Sequence, residues 1–304
     1  MNKTVLVTGG TGLIGQALCQ ELLNKGYNIH LLSRKAKPQA DSRIKTFVWN
    51  VEKGVIDEDC IQGVESIIHL AGEGIVDKRW TAKRKQDIIN SRTESIRLIY
   101  QLIKNTPSAE VKSIISAAAI GFYADRGDEL LTEESPAGWG FLAESCIAWE
   151  NAVDEGKALS LRIVKFRTGI VLDPQGGALK EIARPVKFGL GAALGSGKQW
   201  VSWIHKDDVV NMYLFALENE SLSGVFNMAA PHPVTNSEMT QAIARQFHKP
   251  LFLPAVPAFA LRLAMGEMSA AVLGSTRVTV QKIENAGFKF AFADLEPALK
   301  NLYA

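Results

Sequence analysis

One stretch restricts the fold more than any other: Lys3-Thr-Val-Leu-Val-Thr8-Gly9-Gly10-Thr11-Gly12-Leu13-Ile14-Gly15. Thr4 to Val7 are β-branched or apolar, as suits a strand buried on both faces. After Gly12 the apolar residues Leu13, Ile14, Leu18, Leu22 and Leu23 recur at helical spacing. The pattern predicts strand, tight turn, helix. Gly9, Gly12 and Gly15 fall three residues apart. A Cβ in such a turn would hold a diphosphate away from the helix N-terminus, and the last glycine lets the helix lie close to the strand. Gly9, Thr11, Gly12, Leu13, Ile14 and Gly15 are therefore the expected lining of a dinucleotide site.

The next strand-like run is Asn28-Ile-His-Leu-Leu-Ser33. A site that prefers NAD(H) places an acid about 20 residues after the glycines to take the ribose hydroxyls. No acid occurs between Tyr27 and Ala40; Ser33, Arg34, Lys35 and Lys37 stand there instead. A hydroxyl beside a guanidinium suits a 2′-phosphate, because arginine offers paired donors and permanent charge. The residues thus point to NADP(H), with Ser33 and Arg34 as the discriminating pair.

Strands continue to alternate with helices. Thr46–Asn50, Glu65–Gly72, Val111–Ala119 and Leu159–Arg167 read as strands, Arg79–Asn105 and Phe141–Val153 as helices. This alternation predicts an α/β fold with a doubly wound parallel sheet. Ala71 and Gly72 end the fourth strand with small residues, which permits close approach of a cofactor. The segment from Ile120 to Gly140 is a long loop at the C-terminal edge, where substrate sites form.

After Thr168 the character changes. Ala178–Phe188 reads as a helix, followed by the glycine-rich run 189–198. That run lacks the Gly-Lys-Ser/Thr ending of a phosphate loop and follows no strand. Asp207 and Asp208 are expected to cap a helix over Val209–Glu218, and Val225–Ala229 reads as a strand. Asn236–Phe247, Ala258–Leu273 and Asp294–Leu302 read as helices, the first with capping chemistry in Thr235 to Glu238. The expected organisation is a cofactor domain over 1–170, with the chain returning around 206–230. A smaller, mainly helical substrate domain would occupy 171–304.

Composition excludes several classes. A net charge of +2 is too balanced for a nucleic-acid surface. The three cysteines have no paired spacing, which argues against disulfides and against a metal site. Pro254–Met265, an apolar run near the C-terminus, is too short to cross a bilayer. A soluble cytoplasmic protein with a small-molecule substrate, no nucleic acid and no membrane partner is expected, as a possible homodimer.

Thr8-Gly-Gly-Thr-Gly-Leu-Ile-Gly15, His69-Leu-Ala-Gly72 and Trp203-Ile-His-Lys-Asp-Asp208 together resemble extended short-chain dehydrogenases/reductases. Arg79-Trp80, Ser91-Arg92, Leu194-Gly-Ser-Gly197 and Phe252-Leu-Pro254 resemble the atypical "epimerase family protein" group within them, whose members are described as nucleoside-diphosphate-sugar epimerases. The resemblance spans the chain. It implies a Rossmann domain and a C-terminal substrate domain. It also implies cofactor contacts from Ser33, Arg34, Leu70, Ala71, Asp87 and Arg92, with Gly169 to Val171 under the nicotinamide.

The chain departs from that family at the reaction centre. Typical members carry a Tyr and a Lys four residues apart on one helix, where the ammonium lowers the phenol's pKa. Here the aligned positions hold Leu142 and Cys146, and Ala118 and Ala119 replace the usual hydroxyl on the fifth strand. Tyr123, helped by Arg92, and Ser116 are the remaining candidate catalytic groups. The competing readings are a loop aromatic packed on the cofactor and a strand-end hydrogen bonder. His205 is expected to tie the substrate domain to the next helix, Trp200 and Trp203 to be core or wall, Cys146 to be inert, and Glu144 to face solvent. Two functions stay open: an NADP(H)-dependent oxidoreductase or epimerase-like enzyme acting on a polar, perhaps nucleotide-linked molecule, and an NADPH sensor with weak or no turnover.

Overall fold

A computed structural model describes residues 3–35 and 40–304; Lys37, one of the cations weighed above, lies outside the described residues. The strands are β1 (Thr4–Thr8), β2 (Asn28–Ser33), β3 (Ile44–Asn50), β4 (Val55–Ile56), β5 (Val64–His69), β6 (Ser113–Ala119) and β7 (Leu130–Leu131). They continue with β8 (Arg162–Thr168), β9 (Ile170–Leu172), β10 (Trp200–Val201), β11 (Trp203–His205), β12 (Gly224–Met228), β13 (Val234–Thr235) and β14 (Arg277–Val278). The helices are α1 (Leu13–Asn24), α2 (Ala82–Asn105), α3 (Phe141–Asp154), α4 (Gly177–Lys187), α5 (Lys206–Glu218), α6 (Asn236–Gln246), α7 (Ala258–Met265), α8 (Ala270–Leu273), α9 (Gln281–Asn285) and α10 (Leu295–Leu302).

Eight strands form one sheet in the order β12-β8-β6-β5-β1-β2-β3-β4. Every pairing is parallel except the short hairpin of β3 with β4. Strand order reverses on either side of β1, which sits between β5 and β2. That reversal opens a crevice at the C-terminal ends of β1 and β5, the place where doubly wound sheets bind ligands.

Successive residues of a strand face opposite sides. Val5 and Val7 join the core beneath α1 and α5 with Leu18, Leu22, Val209 and Met212. Leu6 joins the opposite core with Ile96 and Ile99 of α2 and Trp149 and Ala152 of α3. A third core gathers Leu179 and Val186 of α4, Trp203, Met239 and Ile243 of α6, and Leu299 of α10. Among the described residues no helix is long and apolar enough to cross a membrane.

Several boundaries differ from expectation for local reasons. The helix expected from Arg79 begins at Ala82, because Thr81 is extended and its hydroxyl accepts from the Arg84 N–H at 3.1 Å. β8 starts only at Arg162, after Ser160 takes a left-handed φ of 56°. The single helix expected over Ala258–Leu273 breaks after Met265, where Gly266 has φ 60° and cannot continue a right-handed helix. Asp207 and Asp208 are not the caps of α5. His205 is: its Nδ1 accepts from the Asp207 N–H at 3.1 Å. Asp208 instead accepts the Ala291 and Phe292 N–H groups at 2.8 and 3.0 Å. The Thr235–Glu238 capping box forms as expected.

Candidate cofactor site

The site begins where β1 ends. Gly9 has φ 70°, and a Cβ there would stand 2.8 Å from the Leu70 carbonyl carbon and 3.0 Å from the Ala71 nitrogen. The Thr8 hydroxyl accepts from the Leu70 and Ala71 N–H groups at 3.1 and 3.0 Å. The two strand ends are thus fastened together with no room for a side chain between them. A Cβ on Gly15 would run into the Gly9 carbonyl oxygen and the Gly10 Cα.

Gly12 caps α1 without a side chain, and no acid occupies the first turn. The first N–H groups of a helix have no intrahelical acceptor and carry the positive end of its dipole. Among the described residues no side chain caps them, so the turn presents open donors to an anion. Thr11 is exposed beside it, and its carbonyl accepts from the Gln16 side chain at 2.9 Å. Leu13 is partly exposed and touches the approach of a second segment: a Cβ on Gly176 would lie 3.4 Å from Leu13 Cδ1. Val171, half-buried on β9, pairs in register with Ile204 on β11 and leads into that segment.

At the end of β2, Ser33 is half-buried, and Arg34 and Lys35 are exposed. The loop after β5 faces them. Glu73 is held below the usual carboxylate range, first by its bond from Arg84, with the Arg34 charge contributing. Two guanidiniums clamp this loop. Arg84 donates to Glu73 Oε2 at 2.8 Å and to the Gly74 carbonyl at 2.6 Å. Arg92 donates to the Glu73 carbonyl and the Ile88 carbonyl, both at 2.9 Å, and lies over the Trp149 ring at 4.9 Å. A Cβ on Gly72 would meet the Arg92 side chain at 3.1 Å. Asp87 is exposed on α2, one residue before Ile88.

The structure therefore brings Gly9 to Gly15, Leu70 to Gly72, Arg92 and the start of α4 to one crevice. It also reveals Glu73 and Arg84, which the sequence reading missed. The Glu73-Gly74 pair directly after a strand ending in small residues was the available signal.

Leu142 and Cys146 stand against Gly121, whose Cβ would lie 3.5 Å from Leu142 Cβ and 3.6 Å from Cys146 Sγ. Burial pushes the Cys146 thiol up to about 12, so it stays protonated and inert. Tyr123, the candidate replacement phenol, has its hydroxyl engaged on both sides. It is fully buried, donates to Asn227 Oδ1 at 2.8 Å and accepts from Arg167 Nη1 at 3.0 Å. Burial raises its pKa to about 12 in spite of the neighbouring Arg167. The guanidinium that reaches it is Arg167, not Arg92, which is spent on the loop.

Ser116 is likewise fully buried. Its hydroxyl lies 3.1 Å from His69 Nδ1 and 3.0 Å from the Ala117 carbonyl. The remaining candidates settle as structural parts. His205 is buried and stacks on Phe292 at 3.9 Å. Trp203 is buried, and its indole donates to the His232 carbonyl at 3.0 Å. Trp200 donates to Asp128 at 2.8 Å beneath the Arg277 guanidinium. Glu144 is exposed. Among the described residues no cluster of three or more His, Cys, Asp or Glu could hold a metal.

A parallel sheet with an uncapped glycine turn at its switch point defines a nucleotide-binding α/β protein. The chain belongs to the NAD dependent epimerase/dehydratase family, whose model matches residues 5–229. Residues 256–302 match a further family known only as a domain of unknown function, DUF1731. Epimerase family protein YfhF of Bacillus subtilis (strain 168) is 36% identical over 301 residues, covering 99% of this chain and 98% of that protein. Human epimerase family protein SDR39U1 (isoform 2), solved with NADPH, is 29% identical with a TM-score of 0.85 and 98% of each chain covered. A nucleoside-diphosphate sugar epimerase from Corynebacterium glutamicum is 32% identical with a TM-score of 0.79, covering 99% of this chain and 58% of that one.

Proposed function

We propose that this protein binds NADP(H) and acts as an oxidoreductase or epimerase-like enzyme on a polar small molecule, a nucleotide sugar being the first class to try. The observation that carries the reading is the uncapped N-terminus of α1 behind Gly9, with Arg34 and no acid at the end of β2. A turn whose glycines leave no room for a Cβ, facing open N–H donors, fits a diphosphate. The NADPH bound in the human relative supports the same choice of cofactor.

In this reading Gly9, Thr11, Gly12, Leu13, Ile14 and Gly15 surround the diphosphate, and Ser33 and Arg34 take the adenosine 2′-phosphate. Leu70, Ala71 and Gly72 flank the path between them, Asp87 and Arg92 bound it from α2, and Val171 underlies the nicotinamide. Residues 1–170, with 206–230, form the cofactor domain, and 171–304 the substrate domain. When bound, the cofactor supplies a hydride acceptor or donor. The chain adds position and exclusion of water, but Leu142 moves no proton, and Cys146, Tyr123 and Ser116 are sealed from the crevice. The accompanying proton comes from water or from the substrate. That same deficit favours a second reading, an NADPH-binding sensor with little turnover.

Calorimetry with NADPH and NADH tests the first claim. Wild type should bind NADPH more tightly. Arg34→Ala should weaken NADPH by about tenfold to a hundredfold, the worth of a charge-assisted hydrogen bond, and leave NADH nearly unchanged. Equal weakening of both would remove the 2′-phosphate assignment. Following nicotinamide absorbance with carbonyl compounds and nucleotide sugars then separates enzyme from sensor: tight binding without turnover across the panel supports the sensor.

A further inference from the structure

The end of β2 carries no acid, but one arrives beside it from another strand. Leu32 of β2 and His69 of β5 both pair with Thr8, one on each side of β1. Arg34 follows two residues after Leu32, and Glu73 four residues after His69. The two stretches leave the sheet on either side of the glycine turn.

Glu73 is held firmly there. Its N–H donates to the Ser91 hydroxyl at 3.0 Å, and its carbonyl accepts from Arg92 Nη2 at 2.9 Å. With the backbone fixed, Arg84 sets the direction of the side chain through its bond to Oε2 at 2.8 Å. Arg84 bonds Glu73 rather than Asp77, the loop's other acid, which lies against Gly74. The Arg84 side chain is 10% exposed and that of Glu73 42% exposed. The pair therefore presents its carboxylate outward and keeps its guanidinium beneath. Arg84 first, then the charges of Arg34 and Lys78, hold that carboxylate ionised.

The start of α2 explains what the carboxylate hides. Its first turn has no acid and carries Lys83, Arg84 and Lys85, all adding to the positive end of the helix dipole. Glu267 takes Lys85 and Glu73 takes Arg84. A 2′-phosphate beside Arg34 brings roughly two negative charges at neutral pH, which a carboxylate repels and a bare guanidinium attracts. The uncharged ribose hydroxyls of NADH meet no such repulsion and can donate to a carboxylate.

We propose that Glu73 is a specificity-determining residue of the cofactor site: its carboxylate masks Arg84 and opposes the adenosine 2′-phosphate beside Arg34, and so holds down the preference for NADPH over NADH. The proposal rests on the NADP(H) reading and deepens it. Arg34 attracts the phosphate, Glu73 sets a limit on that attraction, and the ratio of the two affinities reports the balance.

Calorimetry on the full chain with NADPH and NADH tests it in wild type, Glu73→Gln and Glu73→Asp. Glu73→Gln keeps the shape and an acceptor for Arg84 but removes the charge. Its NADPH-to-NADH affinity ratio should rise by about threefold to tenfold over wild type, and the rise should shrink at high salt. Glu73→Asp keeps the charge, and its ratio should stay within about twofold of wild type. An unchanged or lowered ratio in Glu73→Gln overturns the proposal. An equal rise in Glu73→Asp overturns it in favour of a lost contact. Arg34→Ala separates this failure from that of the cofactor reading. If it weakens both nucleotides alike, the 2′-phosphate assignment falls and the role of Glu73 falls with it. If it weakens NADPH alone while Glu73→Gln leaves the ratio unchanged, only the role of Glu73 is lost.

Discussion

The Tyr123 hydroxyl donates to Asn227 Oδ1 at 2.8 Å, joining the turn after β6 to the outermost strand of the sheet. Arg167 on β8 donates to the same hydroxyl, and Glu150 on α3 receives Arg167 with both oxygens at 2.7 and 3.1 Å. Glu133 closes the set by accepting the Asn227 N–H at 2.7 Å. All five side chains are buried. Buried charges are tolerated only when paired and hydrogen-bonded, so each member is committed to holding the others.

Tyr123→Phe should therefore lower stability and spare function. It strips the donor from Asn227 Oδ1 and an acceptor from Arg167, which costs about 1–3 kcal/mol for buried groups left unpaired. Urea unfolding measures that loss. NADPH affinity and any NADPH-dependent turnover should be unchanged. Lost turnover at unchanged stability would restore the phenol as a catalyst.

The glycine turn allows a paired comparison. Gly15→Ala places a methyl into the Gly9 carbonyl. The turn must open or the helix must move, costing about 1–3 kcal/mol as overpacking does. NADPH affinity, measured by calorimetry, should weaken by more than about tenfold as the cradle distorts. Gly26→Ala is the control: φ is 84° but nothing lies within 4 Å of the added Cβ. It should cost about 1 kcal/mol of backbone strain and leave NADPH binding intact. If both variants bind alike, the turn does not hold the cofactor.

These comparisons also show what the sequence could reveal. The β1–turn–α1 unit was readable because its chemistry is local: an apolar run, spaced glycines, a helical stripe. The Thr235 capping box was readable for the same reason. The burial of Tyr123 is not readable from the sequence because its partners are remote. Asn227 lies 104 residues along the chain and Arg167 lies 44, so a tyrosine in an apparent loop gave no sign of burial. The sequence reading pairs Arg92 with it, while the tertiary fold sends that guanidinium to the Glu73 carbonyl. The break at Gly266 depends on a backbone angle to which apolar periodicity is blind. His205 displaced two aspartates as the helix cap because Asp208 is used by Ala291 and Phe292, more than 80 residues away.

His69 carries the pH dependence. It is fully buried at the end of β5, with Nε2 at 2.8 Å from Ser95 Oγ and Nδ1 at 3.1 Å from Ser116 Oγ. Burial, with the Arg92 charge adding, pulls its pKa from 6.5 down to about 3. In the unfolded chain the ring takes a proton near 6.5; in the folded protein it stays neutral until about 3. Between those values the unfolded state binds more protons, so stability must fall as pH falls. This contribution is complete above 6.5 and declines toward 3, by at most about 1.4 kcal/mol per pH unit. Urea unfolding of wild type and His69→Gln between about pH 7 and pH 5 isolates it, because the carboxylates titrate alike in both proteins. Wild type should be the more stable at the upper end, and the gap should narrow as pH drops. A gap that stays constant would mean the ring is protonated in the fold or never titrates in the unfolded chain, and the neutral Ser95–His69–Ser116 chain would have to be abandoned.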